Sequence, residues 1–77
     1  MKELLFAITE GLVADPSAIQ ITEDAADEDG VVVLHLSVAP DDMGRVIGKQ
    51  GRIAKSIRTL MRAAAARENR KVSVEID

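Results

Sequence analysis

Cysteine is missing from this 77-residue chain, as are tryptophan and tyrosine; Phe6 is the lone aromatic residue and His35 the lone histidine. Without thiols there is neither a disulfide framework nor a thiolate metal site. One histidine with no cysteine beside it leaves no metal-ligand cluster either, so no metal and no cofactor is expected. With a single ring, the chain cannot build a platform on which successive planar groups stack. No apolar run is long enough for a signal peptide or a membrane span, which points to a soluble, cytoplasmic protein. Adjacent Asp41 and Asp42 suit helix capping better than paired acid–base chemistry, and no catalytic constellation is apparent. The expectation is therefore a single domain spanning residues 1–77, without enzymatic activity and without a small-molecule substrate.

What the chain does have is charge sorted along its length. The net charge is -3. Residues 45–71 nevertheless hold nine basic residues against Glu68 alone, a net +8, while residues 1–44 carry -9 and the last six -2. An anionic partner responds to the local field rather than to the total. The acidic residues concentrate in Glu23, Asp24, Asp27, Glu28 and Asp29, a loop that confines any anion-binding surface to the other side.

Periodicity gives the elements. Leu4, Leu5, Ile8 and Leu12 recur at helical spacing, predicting an amphipathic helix over Lys2 to Val13 with Phe6 in the core. Pro16 ends it. Ile19 to Thr22 alternates as a short strand, and Val31 to Val38 as a longer one with Val32, Leu34, Leu36 and Val38 on one face. His35 falls on the opposite, exposed face. Pro40-Asp41-Asp42 offers a helix start before a short helix over Met43 to Ile47. Gly48 to Gly51 is a turn, Arg52 to about Arg67 the longest helix, and Val72, Val74 and Ile76 mark a last strand. The order α-β-β-α-α-β predicts an α+β fold, a three-stranded mixed sheet packed against three helices, with the two longer strands parallel.

On a helical wheel centred on Ile53, Ile57, Leu60 and Ala64 fall within about 40° and are expected to form the core stripe. Ala54, Met61 and Ala65, with Arg58 beside them, then make a small apolar shoulder suited to a helix-to-helix dimer contact. Arg52, Lys55, Arg58 and Arg62 spread over the remaining, solvated side.

The turn Val46-Ile47-Gly48-Lys49-Gln50-Gly51-Arg52-Ile53 carries the most chemistry. Two glycines remove Cβ atoms and let another backbone approach. Arg45, Lys49, Arg52 and Lys55 surround the head of a helix, whose free N–H groups attract anions. A nucleotide-hydrolysing P-loop is excluded, since Gly44 to Lys49 has one residue too few between glycines and Gln50 stands where a hydroxyl is required.

With these residues the chain resembles a type II KH domain. Val38 to Lys55 is more closely similar to the small single-domain bacterial proteins of the KhpA (YlqC-type) family, and the likeness covers nearly the whole chain. The resemblance implies binding of single-stranded RNA with little sequence preference, in post-transcriptional regulation or RNA chaperoning. It also implies association with a second copy or with a larger KH-containing partner of KhpB (Jag) type. In KH modules the G-x-x-G loop clamps the phosphate backbone of about four nucleotides. That role falls on Gly48, Lys49, Gln50 and Gly51, with Arg45, Arg52 and Lys55 extending the cationic track. Val46, Ile47 and Ile53 are the candidates for an apolar groove receiving the bases. The competing reading is a protein-interaction module in which RNA is incidental, and a DNA-binding helix-turn-helix is a distant third.

Overall fold

The computed structural model describes residues 1–77. Helix α1 (Lys2–Glu10) is followed by strands β1 (Gln20–Glu23) and β2 (Val31–Ser37), helices α2 (Met43–Ile47) and α3 (Arg52–Arg67), and strand β3 (Lys71–Ile76). Single 3₁₀ turns at Pro16–Ala18, Pro40–Asp42 and Lys49–Gly51 join them. The sheet order is β1-β2-β3, antiparallel between the first pair and parallel between the second. This is the expected α+β arrangement, a mixed sheet with helices on one face.

Register follows from burial. Ile21 lies opposite Leu36, and Leu34 opposite Val74. Leu34, Leu36, Val38, Val72 and Val74 thereby form one apolar sheet face, which buries Leu5, Val46, Ile57, Met61 and Ala65 from the three helices. A one-residue slip would turn that whole set to solvent.

Helix α1 stops three residues earlier than the apolar spacing predicts. The amides of Leu12 and Val13 both turn back onto the Thr9 carbonyl, at 2.9 and 3.2 Å, so the chain leaves the helix while both side chains still pack on the core. Buried Thr9 satisfies its hydroxyl by donating to the Leu5 carbonyl at 2.8 Å. Phe6, expected in the core, is instead 39% exposed, because the inward face of α1 is the Leu5–Thr9 line. At the other end of the fold, α3 closes in a Schellman motif. Asn69 takes a left-handed φ of 56°, and the Asn69 and Arg70 amides donate to the Ala66 and Ala65 carbonyls at 3.1 and 2.8 Å.

The buried face of α3 also differs from the expected one. It is Ala54, Ile57, Met61 and Ala65, whereas Leu60 is 55% exposed and Ile53 and Ala64 only half-buried. The inward direction is thus rotated by about 80° from the Ile53-centred stripe, at 100° per residue. Ala54, Met61 and Ala65 sit under the sheet at 4% exposure or less and offer no dimer contact. Small alanines let the helix approach the sheet closely, and that close packing outranks the greater hydrophobicity of Leu60.

Candidate nucleic-acid interface

Between α2 and α3 the backbone makes a conformation that only glycine tolerates at one position. Gly48 has φ 75° and ψ 174°. A Cβ there would lie 2.6 Å from Ile53 Cγ1 and 2.9 Å from Ile53 Cβ and Cδ1. Ile53, the second residue of α3, therefore packs directly against the bare Gly48 backbone. Gln50 (φ 58°) and Gly51 (φ 75°) follow in the left-handed region, and the Gly51 amide donates to the Gly48 carbonyl at 3.1 Å. Gly51 is the N-cap of α3 and carries no side chain to cap it. The positive end of a sixteen-residue helix is thus left uncovered by any side chain.

Lys49, Gln50, Arg52 and Lys55 are all exposed around this turn. Lys55, Arg58 and Arg62 continue at spacings of three and four, which lines them along one side of α3. Arg58 bends onto β3, its Nε donating to the Val74 carbonyl at 3.1 Å. Beside it lies an open cavity of about 350 Å³ between α3 and the free edge of β3, lined by Arg58, Arg62, Val72, Ser73, Val74 and Glu75. None of the apolar candidates Val46, Ile47 and Ile53 lines this cavity, whose walls are mostly polar. Arg58, expected at a dimer contact, is one of its walls, and Arg62, expected only on the solvated side of α3, is another. Only the spacing of three and then four residues, from Lys55 through Arg58 to Arg62, signals the two arginines in sequence.

Of the three apolar candidates, Val46 is completely buried in the core and has no surface to offer a ligand. Ile47 is 37% exposed, and Ile53 is half-buried beneath Gly48. Arg45 is exposed on the last turn of α2, with one guanidinium nitrogen on the carboxylate of Asp42. Asp42 does not cap its own helix, contrary to expectation. It is 1% exposed and accepts the amides of Ala14 and Asp15, at 3.0 and 3.1 Å, from the segment that follows α1. Those hydrogen bonds and the Arg45 cation hold its carboxyl below the usual carboxylate range against the opposing effect of desolvation. The acidic loop stays at the opposite end, closed by Asp27, whose carboxylate accepts the Asp29 and Val31 amides at 2.8 and 2.9 Å. Its neighbour Asp24 pairs with His35 at 2.8 Å on the open face of the sheet.

A strained G-x-x-G turn joining two helices over a mixed α-β-β-α-α-β sheet defines a type II KH domain. The family model described as "KhpA/KhpB, KH domain" matches residues 2–76. Proteins named RNA-binding protein KhpA from Clostridium acetobutylicum and Caldanaerobacter subterraneus are 53% and 49% identical, each over 99% of both chains. That of Listeria monocytogenes is 46% identical over 99% of this chain and 97% of its own. Among solved structures, Aquifex aeolicus Era bound to GDP and aluminium fluoride shares the fold, with a TM-score of 0.65 at 19% identity. The match covers 96% of this chain and 28% of that one. The chain belongs to the KhpA/KhpB KH-domain family.

Proposed function

We propose that the chain is a non-catalytic RNA-binding protein that grips the phosphate backbone of single-stranded RNA at the Gly48–Gly51 turn, with little sequence preference. The observation that carries this reading is the Gly48 backbone pressed bare against Ile53, at the head of an uncapped helix and ringed by Lys49, Arg52 and Lys55. Relatives sharing half the sequence are named RNA-binding proteins, which supports it. Backbone amides and cations at a helix head complement phosphate without reading a base. The groove between α3 and β3, with Arg58 and Arg62 as walls, is where the bases would lie. No helix is long and apolar enough to cross a membrane.

Association with a second copy, or with a larger KH-containing partner, is the other half of the proposal. Its surface is the exposed side of α1 and α3, where Leu4, Ile8, Leu60, Ala63 and Ala64 line an apolar cavity of about 420 Å³. That face lies away from the cationic side of α3, so a dimer leaves both glycine turns accessible.

The test is a binding titration of labelled single-stranded RNA against Lys49→Asp/Gln50→Asp. Two anions placed at the phosphate seat weaken binding strongly while the domain stays folded. Undiminished binding by a folded double variant refutes the clamp. Running duplex DNA alongside, at several salt concentrations, separates RNA recognition from general polyanion binding.

A further inference from the structure

Asp42 is the most buried charged group of the fold, yet the clamp as described makes no use of it. Its carboxylate spans two parts of the molecule. On one side it takes the Ala14 and Asp15 amides, which fix its position from a turn 27 and 28 residues away. On the other it takes one Nη of Arg45, a side chain that is otherwise 54% exposed and has no second protein partner. Arg45 is one helical turn before Gly48, on the same short helix that delivers the chain to the clamp.

We propose that Asp42 is a positioning residue for RNA binding, holding the Arg45 guanidinium in one orientation so that its remaining donors meet a phosphate next to the Gly48–Gly51 turn. The inference rests on the RNA-binding reading above. The guanidinium is a rigid planar fork with five donors, so an anchored Nη still leaves donors directed at solvent. A free arginine loses its rotational freedom when it meets a phosphate; an arginine already held has little left to lose. The anchor must itself be fixed, and the two backbone amides fix it. The opposite role is equally concrete, that the carboxylate masks the Arg45 charge. The two differ in sign: removing the Asp42 charge weakens RNA binding if it positions and strengthens binding if it masks.

Wild type, Arg45→Ala, Asp42→Asn and the double variant are titrated with a fluorescein-labelled mixed-sequence 12-mer RNA. Each is measured at several salt concentrations, at a temperature where circular dichroism shows all four folded. Expected are a several-fold loss for Arg45→Ala, with the log–log salt slope reduced by about 0.7 for one lost single-strand phosphate contact, and a comparable loss for Asp42→Asn. The double variant is expected to bind no more weakly than Arg45→Ala. Losses that multiply in the double variant assign Asp42 a merely structural role and overturn the proposal. Unchanged or tighter binding by Asp42→Asn overturns it too. Should Asp42→Asn not fold, Arg45→Lys takes its place. It keeps the charge but not the fork, and is expected to bind several-fold more weakly with an unchanged salt slope; binding at the wild-type level overturns the idea. A wild-type protein that binds no RNA removes the functional reading and this proposal together, whereas RNA binding indifferent to Arg45 removes this proposal alone.

Discussion

Replacing Gly48 with alanine tests whether the turn depends on a bare backbone. Two costs add. The φ 75°, ψ 174° conformation belongs to glycine alone, and forcing another residue into so sparse a region costs roughly 1–3 kcal/mol. The new methyl group would also sit 2.9 Å from Ile53 Cβ, an atom fixed to the α3 backbone that no rotamer change can move away. Overpacking of that kind costs about 1–3 kcal/mol. The total of roughly 2–6 kcal/mol approaches the whole stability of a domain this size, about 4–12 kcal/mol at the usual per-residue range. It corresponds to a fall in Tm of at least about 10 °C. The other glycines supply internal controls. Gly51 is also left-handed but has open space where its Cβ would go, so Gly51→Ala costs only about 1–2 kcal/mol. Gly44 is helical and unobstructed, so Gly44→Ala is neutral or stabilises by up to about 1 kcal/mol. Thermal and urea unfolding followed by circular dichroism would rank the three. Gly48→Ala melting within a few degrees of Gly51→Ala would show that the Ile53 contact does not matter, and the reasoning would fail.

Two further outcomes follow from packing and titration. Met61 is fully buried and Leu60 is 55% exposed, so Met61→Ala destabilises by about 2–5 kcal/mol while Leu60→Glu leaves the melting temperature nearly unchanged. Sedimentation should show Leu60→Glu losing any self-association of the wild type; a folded Leu60→Glu that associates normally places the contact elsewhere. The Asp24 carboxylate raises the His35 pKa from its usual value by hydrogen bonding, and the charges of Asp24, Asp77 and Glu75 add to this against desolvation. A raised folded-state pKa means the pair stabilises the fold below the ordinary histidine range, and the gain is lost as pH rises through the folded-state value. Proton NMR should give a His35 midpoint above about 6.5 that falls in Asp24→Asn; an unmoved midpoint refutes the pairing.

How much was legible in the residues varies with the range of the interactions. The Gly48–Gly51 turn and the two helices around it depend on neighbours a few positions apart, and local spacing shows them. The parallel pairing of β2 and β3 also follows, because a helical crossover between strands permits little else. The inward face of α3 was misjudged because hydrophobicity gives weight to Leu60, whereas packing selects Ala54 and Ala65 for being small. Phe6 misled for a similar reason, since the size of a ring says nothing of which way α1 faces. Asp42 was beyond reach, as its partners at Ala14 and Asp15 come from a turn whose position only the folded chain defines. Arg58 was misplaced likewise, since its Val74 partner is sixteen residues away.

The Arg58 contact with the Val74 carbonyl has a colloidal consequence as well. Strand β3 is one of the two outer strands of the sheet, six residues long, and its free rim is a template onto which a strand from another molecule could add. A guanidinium lying on that rim occupies one of its acceptors, and Arg62 adds a second positive charge nearby. Growth of one sheet onto the next would have to displace Arg58 and bring like charges together. The two arginines that line the cavity beside β3 would therefore oppose edge-to-edge addition of one molecule to the next.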